Sequence, residues 1–353
     1  MINRRKTSTV TVGKLKIGSD YPVLVQSMTN SKTTDVKSTL AQIEACYKAG
    51  VDIMRVSVPD RESSKAFKEI AENSPVPLVA DIHFHHMRGV EAAQNGAACL
   101  RINPGTLGKK EHAIDIIKAA KDYNCSIRLG VNVGSLEENI LQKYHEPCSD
   151  AMVESALDAI KILEDNDFTN FKISVKASDV IMMHEAYTKL AKLCNYPFHL
   201  GVTEAGPASS GVVKSAIGIG SLLLAGIGDT VRISLSADVV EEVNAGWRIL
   251  KSLNLRNRGV NIVSCPSCAR QQFDVINIVA QVEKATESIA KPIRISILGC
   301  VVNGLGEARE SDIGITGAGS GNHLIYIKGE PKYKAKTEEL FAKIMDCVSE
   351  VLA

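Results

Sequence analysis

The run Ile127-Arg128-Leu129-Gly130-Val131-Asn132 sets aliphatic side chains at 127, 129 and 131 against polar ones at 128 and 132. Successive side chains on a strand point to opposite faces, so the run reads as a strand with one apolar and one polar face. Seven further short β-rich runs occur, at residues 23–27, 53–58, 78–83, 99–103, 172–176, 198–204 and 231–236. Helix-like segments at 39–49, 109–123, 153–164 and 238–253 lie between or after them. Eight strand-and-helix units over about 250 residues predict a (β/α)8 TIM barrel, an α/β fold. An open doubly wound sheet is the competing arrangement, and eight consecutive units favour closure. The fifth connection is the longest, and residues 137–149 within it are expected as an extra helix with a loop over the barrel mouth.

After residue 253 the pattern changes. Residues 254–261 are polar, carry Asn257, Arg258 and Gly259 as breakers, and read as a linker. A strand at 260–264, a helix at 272–288, a strand at 293–298, a glycine-rich stretch, a strand at 324–328 and a helix at 334–352 follow. The expected organisation is a substrate-binding barrel over 1–253, the linker, and a small α+β domain over 262–353.

The chain has 353 residues, 45% apolar and 23% charged, which excludes disordered and fibrous classes. With 41 basic and 40 acidic residues the net charge is +1, so generic binding to nucleic acid or membrane surfaces is not expected. No apolar run follows the basic N-terminus and none approaches the ~20 residues of a membrane span, which predicts a soluble cytoplasmic protein. Nine cysteines, an odd number without a secretion signal, predict reduced thiols. Cys46 and Cys347 lie at helical spacing from aliphatic residues and read as core. Cys99, Cys125, Cys148 and Cys194 have no metal-ligand pattern near them.

Strand parity picks out the site. Met54, Val56 and Val58 oppose Arg55 and Ser57; Ile173 and Val175 oppose Lys172, Ser174 and Lys176; Val231, Ile233 and Leu235 oppose Arg232 and Ser234. If the aliphatic parity meets the helices, Arg55, Arg101, Arg128, Lys176 and Arg232 point inward near strand C-terminal ends, where barrel active sites form. One such cation is commonly a rim charge reaching water. Five converging cations call for a polyanion, because unpaired buried charge is costly and guanidinium matches phosphate oxygens. A diphosphate or two phosphates on a small molecule fits best, and duplex nucleic acid does not fit a narrow concave mouth. Asp81, His83 and Asn132 add polar groups at strand ends. Glu204 is the acid-or-base candidate, with pairing to Arg232 as its competing role. His83, His85 and His86 suggest a metal site, but consecutive spacing puts few rings on one side and favours a polar loop. Residues 218–220 and 317–321 read as turns.

The second domain carries Cys265-Pro266-Ser267-Cys268, then Cys300 and Glu307. Soft thiolates select zinc or iron–sulfur; a closed zinc site lacks its fourth ligand here, and a redox CxxC leaves Cys300 unexplained. A [4Fe-4S] cluster on three thiolates leaves one iron for a harder ligand such as Glu307 or for substrate oxygen.

These two cysteine motifs resemble the cluster motifs of the bacterial 4-hydroxy-3-methylbut-2-enyl diphosphate synthase family, of the methylerythritol phosphate route to isoprenoids. Val25-Gln26-Ser27-Met28-Thr29, Arg101-Ile102-Asn103-Pro104-Gly105, Arg128 to Asn132, Val202-Thr203-Glu204-Ala205-Gly206 and Gly228 through Arg232 to Ser234 are similar to the family's barrel motifs. The resemblance covers both domains, in the shorter two-domain bacterial form. It implies reductive opening and dehydration of 2-C-methyl-D-erythritol 2,4-cyclodiphosphate, with electrons from flavodoxin or ferredoxin through a [4Fe-4S] cluster. It implies metal ligands at Cys265, Cys268, Cys300 and Glu307, and catalytic roles for Glu204 and Glu307. Arg55, His83, Arg101, Arg128, Asn132, Lys176, Arg232, Ser234 and Asn303 then hold substrate. A head-to-tail homodimer is expected too, because the helix at 238–253 runs back about 24 Å from the mouth and the linker is short. A pteridine-binding barrel transferase with a zinc-bearing appendage and a non-catalytic iron–sulfur carrier are the competing classes; a carrier needs no cationic mouth.

Overall fold

The computed structural model describes residues 2–353 except 84, 108, 109 and 320. Phe84 of the histidine loop, Lys109 at the start of the helix expected over 109–123, and Ser320 of the turn expected over 317–321 lie outside the described residues, as does Met1. The chain forms two units, Met1–Arg256 and Asn257–Ala353.

In the first unit eight parallel strands run in order: β1 (Leu24–Met28), β2 (Ile53–Ser57), β3 (Leu78–Asp81), β4 (Cys99–Ile102), β5 (Ser126–Asn132), β6 (Phe171–Lys176), β7 (His199–Leu200) and β8 (Thr230–Val231). β8 pairs with both β1 and β7, and a bridge from Ile173 to Phe198 joins β6 to the entry of β7, so the sheet closes on itself. The TIM barrel read from the eight runs is the observed fold. Parity works as expected: Met54, Val56, Ile127, Leu129, Ile173 and Val175 are buried in the layer between strands and helices. The seventh and eighth strands are shorter than the runs 198–204 and 231–236, because the backbone leaves the sheet toward the rim at Gly201 and Arg232. The long fifth connection contains the helix Glu138–Tyr144.

A hairpin of Val10–Val12 and Leu15–Ile17, not foreseen in the sequence, supplies Val12 and Ile17 to a separate apolar cluster with Leu24, Ile53, Val79 and Cys99. Those four stand at or near the starts of β1 to β4, so the hairpin plugs the N-terminal end and leaves the other end for chemistry. Its three-residue strands are too short to show a period.

The second unit is a five-stranded sheet: β9 (Val260–Ser264), β10 (Ile293–Leu298) and β11 (Ile313–Gly317) are parallel, and β12 (Asn322–Ile327) and β13 (Glu330–Lys336) continue antiparallel. Two expectations are corrected here. Residues 334–336 belong to β13, and the last helix is Leu340–Leu352. The glycine-rich stretch is no simple loop but contains the helix Val301–Arg309 and β11. A Cβ on Gly304 would lie 2.3 Å from Thr316 Oγ1, and one on Gly314 would lie 2.4 Å from Ala308 Cβ. The glycines let helix and strand touch, which in sequence looks like turn chemistry.

Candidate active site

The barrel interior places Arg55, Arg101, Arg128, Lys176 and Arg232 on the inward parity, as read from the sequence. Arg128 is 1% exposed, Arg101 4% and Lys176 7%. Lys172, on the same face of β6, is also fully buried. Among the described residues two carboxylates pair with the five cations of the ring. Asp81 Oδ1 accepts from Arg101 Nη1 at 3.2 Å, and its Oδ2 lies 3.2 Å from His83 Nε2 and 3.9 Å from Arg55 Nε. Burial alone would raise the Asp81 carboxyl, but Arg55, the His83 contact and Arg101 together hold it well below the usual range. The other is Glu242, 4% exposed, which accepts from Arg232 Nη2 at 3.2 Å, from Ser27 Oγ at 2.8 Å and from Leu235 N at 3.1 Å.

Arg232 is therefore held by Glu242, and its pairing with Glu204, weighed from sequence, is not what the structure has. Glu242 lies on the helix Val239–Ser252 in step with buried Val239, Val243, Gly246 and Leu250. A glutamate at a core position of an amphipathic helix was the available signal, and the sequence reading passed over it.

The cations press on one another. Burial, then Arg55 and Arg101, push Arg128 well down from the ordinary arginine value. Burial, then Arg128 and Arg232, do the same to Lys176. Guanidinium keeps its proton in proteins, so the same forces act as a pull on any anion. Arg128 Nη1 donates to Ser174 Oγ at 2.8 Å, while its buried Nε and Nη2 have no partner; the buried Nε atoms of Arg101 and Arg232 have none either. Unpaired donors on one enclosed face are what phosphate oxygens would satisfy. Asn132, with its amide oxygen turned toward Arg101, accepts from Nη2 at 3.1 Å. Ser234 follows β8 and is half-buried.

Glu204 is exposed, in the turn after β7, with φ at +51°. On the extended strand its parity would match Phe198, Leu200 and Val202, which face the helices. The left-handed backbone redirects it, at a cost of about 1 kcal/mol or more for a residue other than glycine. Thr203 N donates to Ala177 O at 3.2 Å, fixing the turn beside the end of β6, which carries Lys176. His86 stacks on His112 at 4.0 Å, its Nε2 lying 3.4 Å from Asp115 Oδ2, whereas His83 faces Asp81, so the histidines divide between two sites.

In the second unit Cys265 follows β9 directly and Cys300 follows β10 by two residues. These are neighbouring parallel strands with Ser264 opposite Ile297. Gly299 N lies 3.4 Å from Cys265 Sγ, Gln271 N donates to Cys268 O at 2.9 Å and Gln272 N to Gly299 O at 2.8 Å, so one hydrogen-bonded edge presents all three cysteines. Cys265 and Cys300 are half-buried and Cys268 is exposed, unlike the buried Cys46, Cys99, Cys125 and Cys347. Among the described residues no three His, Cys, Asp or Glu side chains are placed to share a single metal ion. Asn303 is exposed in the first turn of the helix that Cys300 caps. Glu307 lies two turns along, about 10 Å by helical rise, and pairs with Arg294 at 3.1 Å. The structure thus brings the cysteines to one edge and leaves Glu307 apart from them.

Comparison with known proteins matches both units. Residues 7–247 match the GcpE TIM-barrel domain and residues 261–350 the GcpE protein C-terminal domain. The chain is 58% identical over 352 residues to a 4-hydroxy-3-methylbut-2-en-1-yl diphosphate synthase (flavodoxin) of Ruegeria sp. (strain TM1040), covering all of this chain and 93% of the relative. It is 56% identical to the like-named protein of Caulobacter vibrioides, covering all of this chain and 92% of the relative. Among solved structures, a type I 3-dehydroquinate dehydratase of Clostridium difficile aligns with TM-score 0.51 at 12% identity, over 70% of this chain and 98% of that one. A 7,8-dihydropteroate synthase of Vibrio fischeri aligns with TM-score 0.50 at 11% identity, again over 70% and 98%. Those likenesses concern the barrel fold alone, so the pteridine-transferase alternative has no support beyond shared architecture.

Proposed function

The chain belongs to the GcpE family, and from that membership we propose that it forms 4-hydroxy-3-methylbut-2-en-1-yl diphosphate for isoprenoid synthesis by reductively opening and dehydrating 2-C-methyl-D-erythritol 2,4-cyclodiphosphate. The observation that carries this reading is the barrel mouth, where Arg101, Arg128 and Lys176 are buried and Arg55 and Arg232 half-buried, with only Asp81 and Glu242 among the described residues pairing with that ring. Arg55, Arg101, Arg128, Lys176 and Arg232 bind the two phosphates, with His83, Asn132 and Ser234 completing the contacts. When the ring opens, a phosphate oxygen gains negative charge and the same cations stabilise it, an effect enlarged by burial. Two electrons enter, one ring carbon–oxygen bond breaks, and a hydroxyl departs that must collect a proton to become water. Glu204, exposed on the rim beside β6, supplies that proton.

The donor set of the second unit fits an iron–sulfur cluster. Three accessible thiols share an edge without converging on one ion, which suits irons at separate corners better than a single zinc. Cys265, Cys268 and Cys300 would hold a [4Fe-4S] cluster, and Asn303, exposed one turn after Cys300, would be a substrate contact. Such a cluster would deliver electrons from reduced flavodoxin, the donor in the relatives' names, or from ferredoxin. Glu307 would be the fourth ligand, which requires it to leave Arg294, an exposed pair of the kind that contributes little.

A head-to-tail homodimer completes the proposal. Arg256 bonds Val23 O at 3.0 Å and Asp52 at 2.6 Å, at the ends of β1 and β2 opposite the mouth. Three residues separate it from Val260, a reach of about 14 Å of extended chain, which supports each cluster serving the partner's barrel. No helix among the described residues is long and apolar enough to cross a membrane, and we place the enzyme in the cytoplasm. Anaerobic turnover of the cyclic diphosphate with reduced flavodoxin tests the reading. Wild type should yield the allylic diphosphate, and Glu204→Gln should lower kcat far more than substrate affinity. Absence of product from cluster-loaded wild type overturns it.

A further inference from the structure

Below the cationic ring the barrel holds polar groups that the substrate contacts leave unused. Lys172 lies on the inward face of β6, four residues before Lys176 and thus about 13 Å deeper along the strand. It is fully buried and its Nζ has no hydrogen-bond partner. His199 of β7 is fully buried with Nδ1 on Thr230 Oγ1 at 2.8 Å and Nε2 unpartnered. Neither amide atom of buried Gln26 on β1 has a partner, and Arg128 stands opposite Lys172 in the β5–β6 ladder. The titratable groups acting on Lys172 are Cys99 from β4, Arg128 from β5, His199 from β7 and Asp229 ahead of β8. Asp229, the single carboxylate in that set, is committed to Arg4 at 2.6 Å and to Phe198 N at 2.8 Å. Lys172 therefore sits in the barrel centre without a counterion of its own.

We propose that Lys172, buried in the barrel centre with no hydrogen-bond partner for its Nζ, is a charge reserve for the anion site: it takes up a proton when the diphosphate enters, so that substrate binding and protonation of Lys172 are linked. Burial is the main force against its charge, and Arg128 adds to it; together they bring the amine down to about 8. Two negative charges above Arg128 weaken that repulsion and favour the ammonium. The inference rests on the cyclic-diphosphate reading. That ligand is a convenient probe, because each of its phosphates carries one ester and one anhydride link and has no second ionisation near neutrality, so any proton taken up goes to the protein.

The test is titration calorimetry of the intact, oxidised holoenzyme with the cyclic diphosphate, in buffers of different ionisation enthalpy. The contribution of Lys172 should be small at pH 7, about half a proton per site at pH 8 and close to one at pH 9, with affinity falling up to about tenfold per pH unit above 8. Lys172→Met should bind and lose this rise. Lys172→Arg, charged throughout, should lose it too and stands in if the methionine variant does not fold. Uptake unchanged in either folded variant, or absent in wild type that binds, overturns the role of Lys172. Failure of wild type to bind instead sinks the cyclic-diphosphate reading itself.

Discussion

Asp81→Asn removes one of the two carboxylates that hold the empty cationic mouth together. Asp81 is 3% exposed, bonds Arg101 at 3.2 Å, contacts His83 at 3.2 Å and faces Arg55 at 3.9 Å. Removing one partner of a buried ion pair costs about 3 to 5 kcal/mol, because the surviving charge stays buried and uncompensated. The amide keeps one acceptor, so the lower end is expected. In a unit of this size about 3 kcal/mol corresponds to a Tm lower by roughly 6 to 12 °C. The pH dependence has a definite sign. The folded carboxyl lies below its unfolded value, so its stabilisation is complete above about pH 5 and is lost progressively as the pH falls from the unfolded carboxyl's value toward the folded one's. The gap between wild type and variant in urea unfolding should be flat from pH 5 to 8 and narrow below 4. A gap under about 1 kcal/mol at pH 7, or one that closes between pH 5 and 8, refutes the claim that Asp81 is the charged anchor of the ring.

Arg128→Ala and Arg232→Ala should each weaken binding of the cyclic diphosphate by about 1.5 to 3 kcal/mol, the range for hydrogen bonds to charged groups, and unchanged affinity in both would argue against a shared anion site. Cys265→Ser, Cys268→Ser and Cys300→Ser should each strongly lower the iron and sulfide of anaerobically purified protein, while Cys347→Ser, in the core, should not; equal loss in all four would point to general misfolding. Mixing an inactive Cys300→Ser chain with an inactive Glu204→Gln chain should restore activity through heterodimers, and no recovery despite demonstrated subunit exchange would show that each chain completes its own site.

The barrel was legible because its signal is repeated: parity in β2, β5 and β6 independently assigns the same residue classes to the same sides. That parity also set the five cations on the side away from the aliphatic core, since a charged side chain between two core aliphatics has one way to face. It failed where the chain leaves regular geometry. Glu204 reaches the rim through a left-handed turn that alternation does not encode. Glu242 comes from a helix rather than a strand, so a search of strand ends could not find it. Lys172 was visible on the right parity but was not carried into the site, because depth along the barrel depends on register between strands. In the second unit glycines at 304 and 314 resemble loop punctuation, yet they permit close packing of helix on strand, and only the three-dimensional contact distinguishes the two.

On the proposed function the barrel would hold a diphosphate and the cysteine edge a [4Fe-4S] cluster, and electron paramagnetic resonance of the reduced, anaerobic protein would report on both at once. The spectrum should contain a signal from the reduced cluster that shifts when the cyclic diphosphate is added, with the shift lost or needing much more ligand in Arg128→Ala. A protein that carries stoichiometric zinc and no such signal, or a cluster signal that saturating substrate leaves unchanged, contradicts the account.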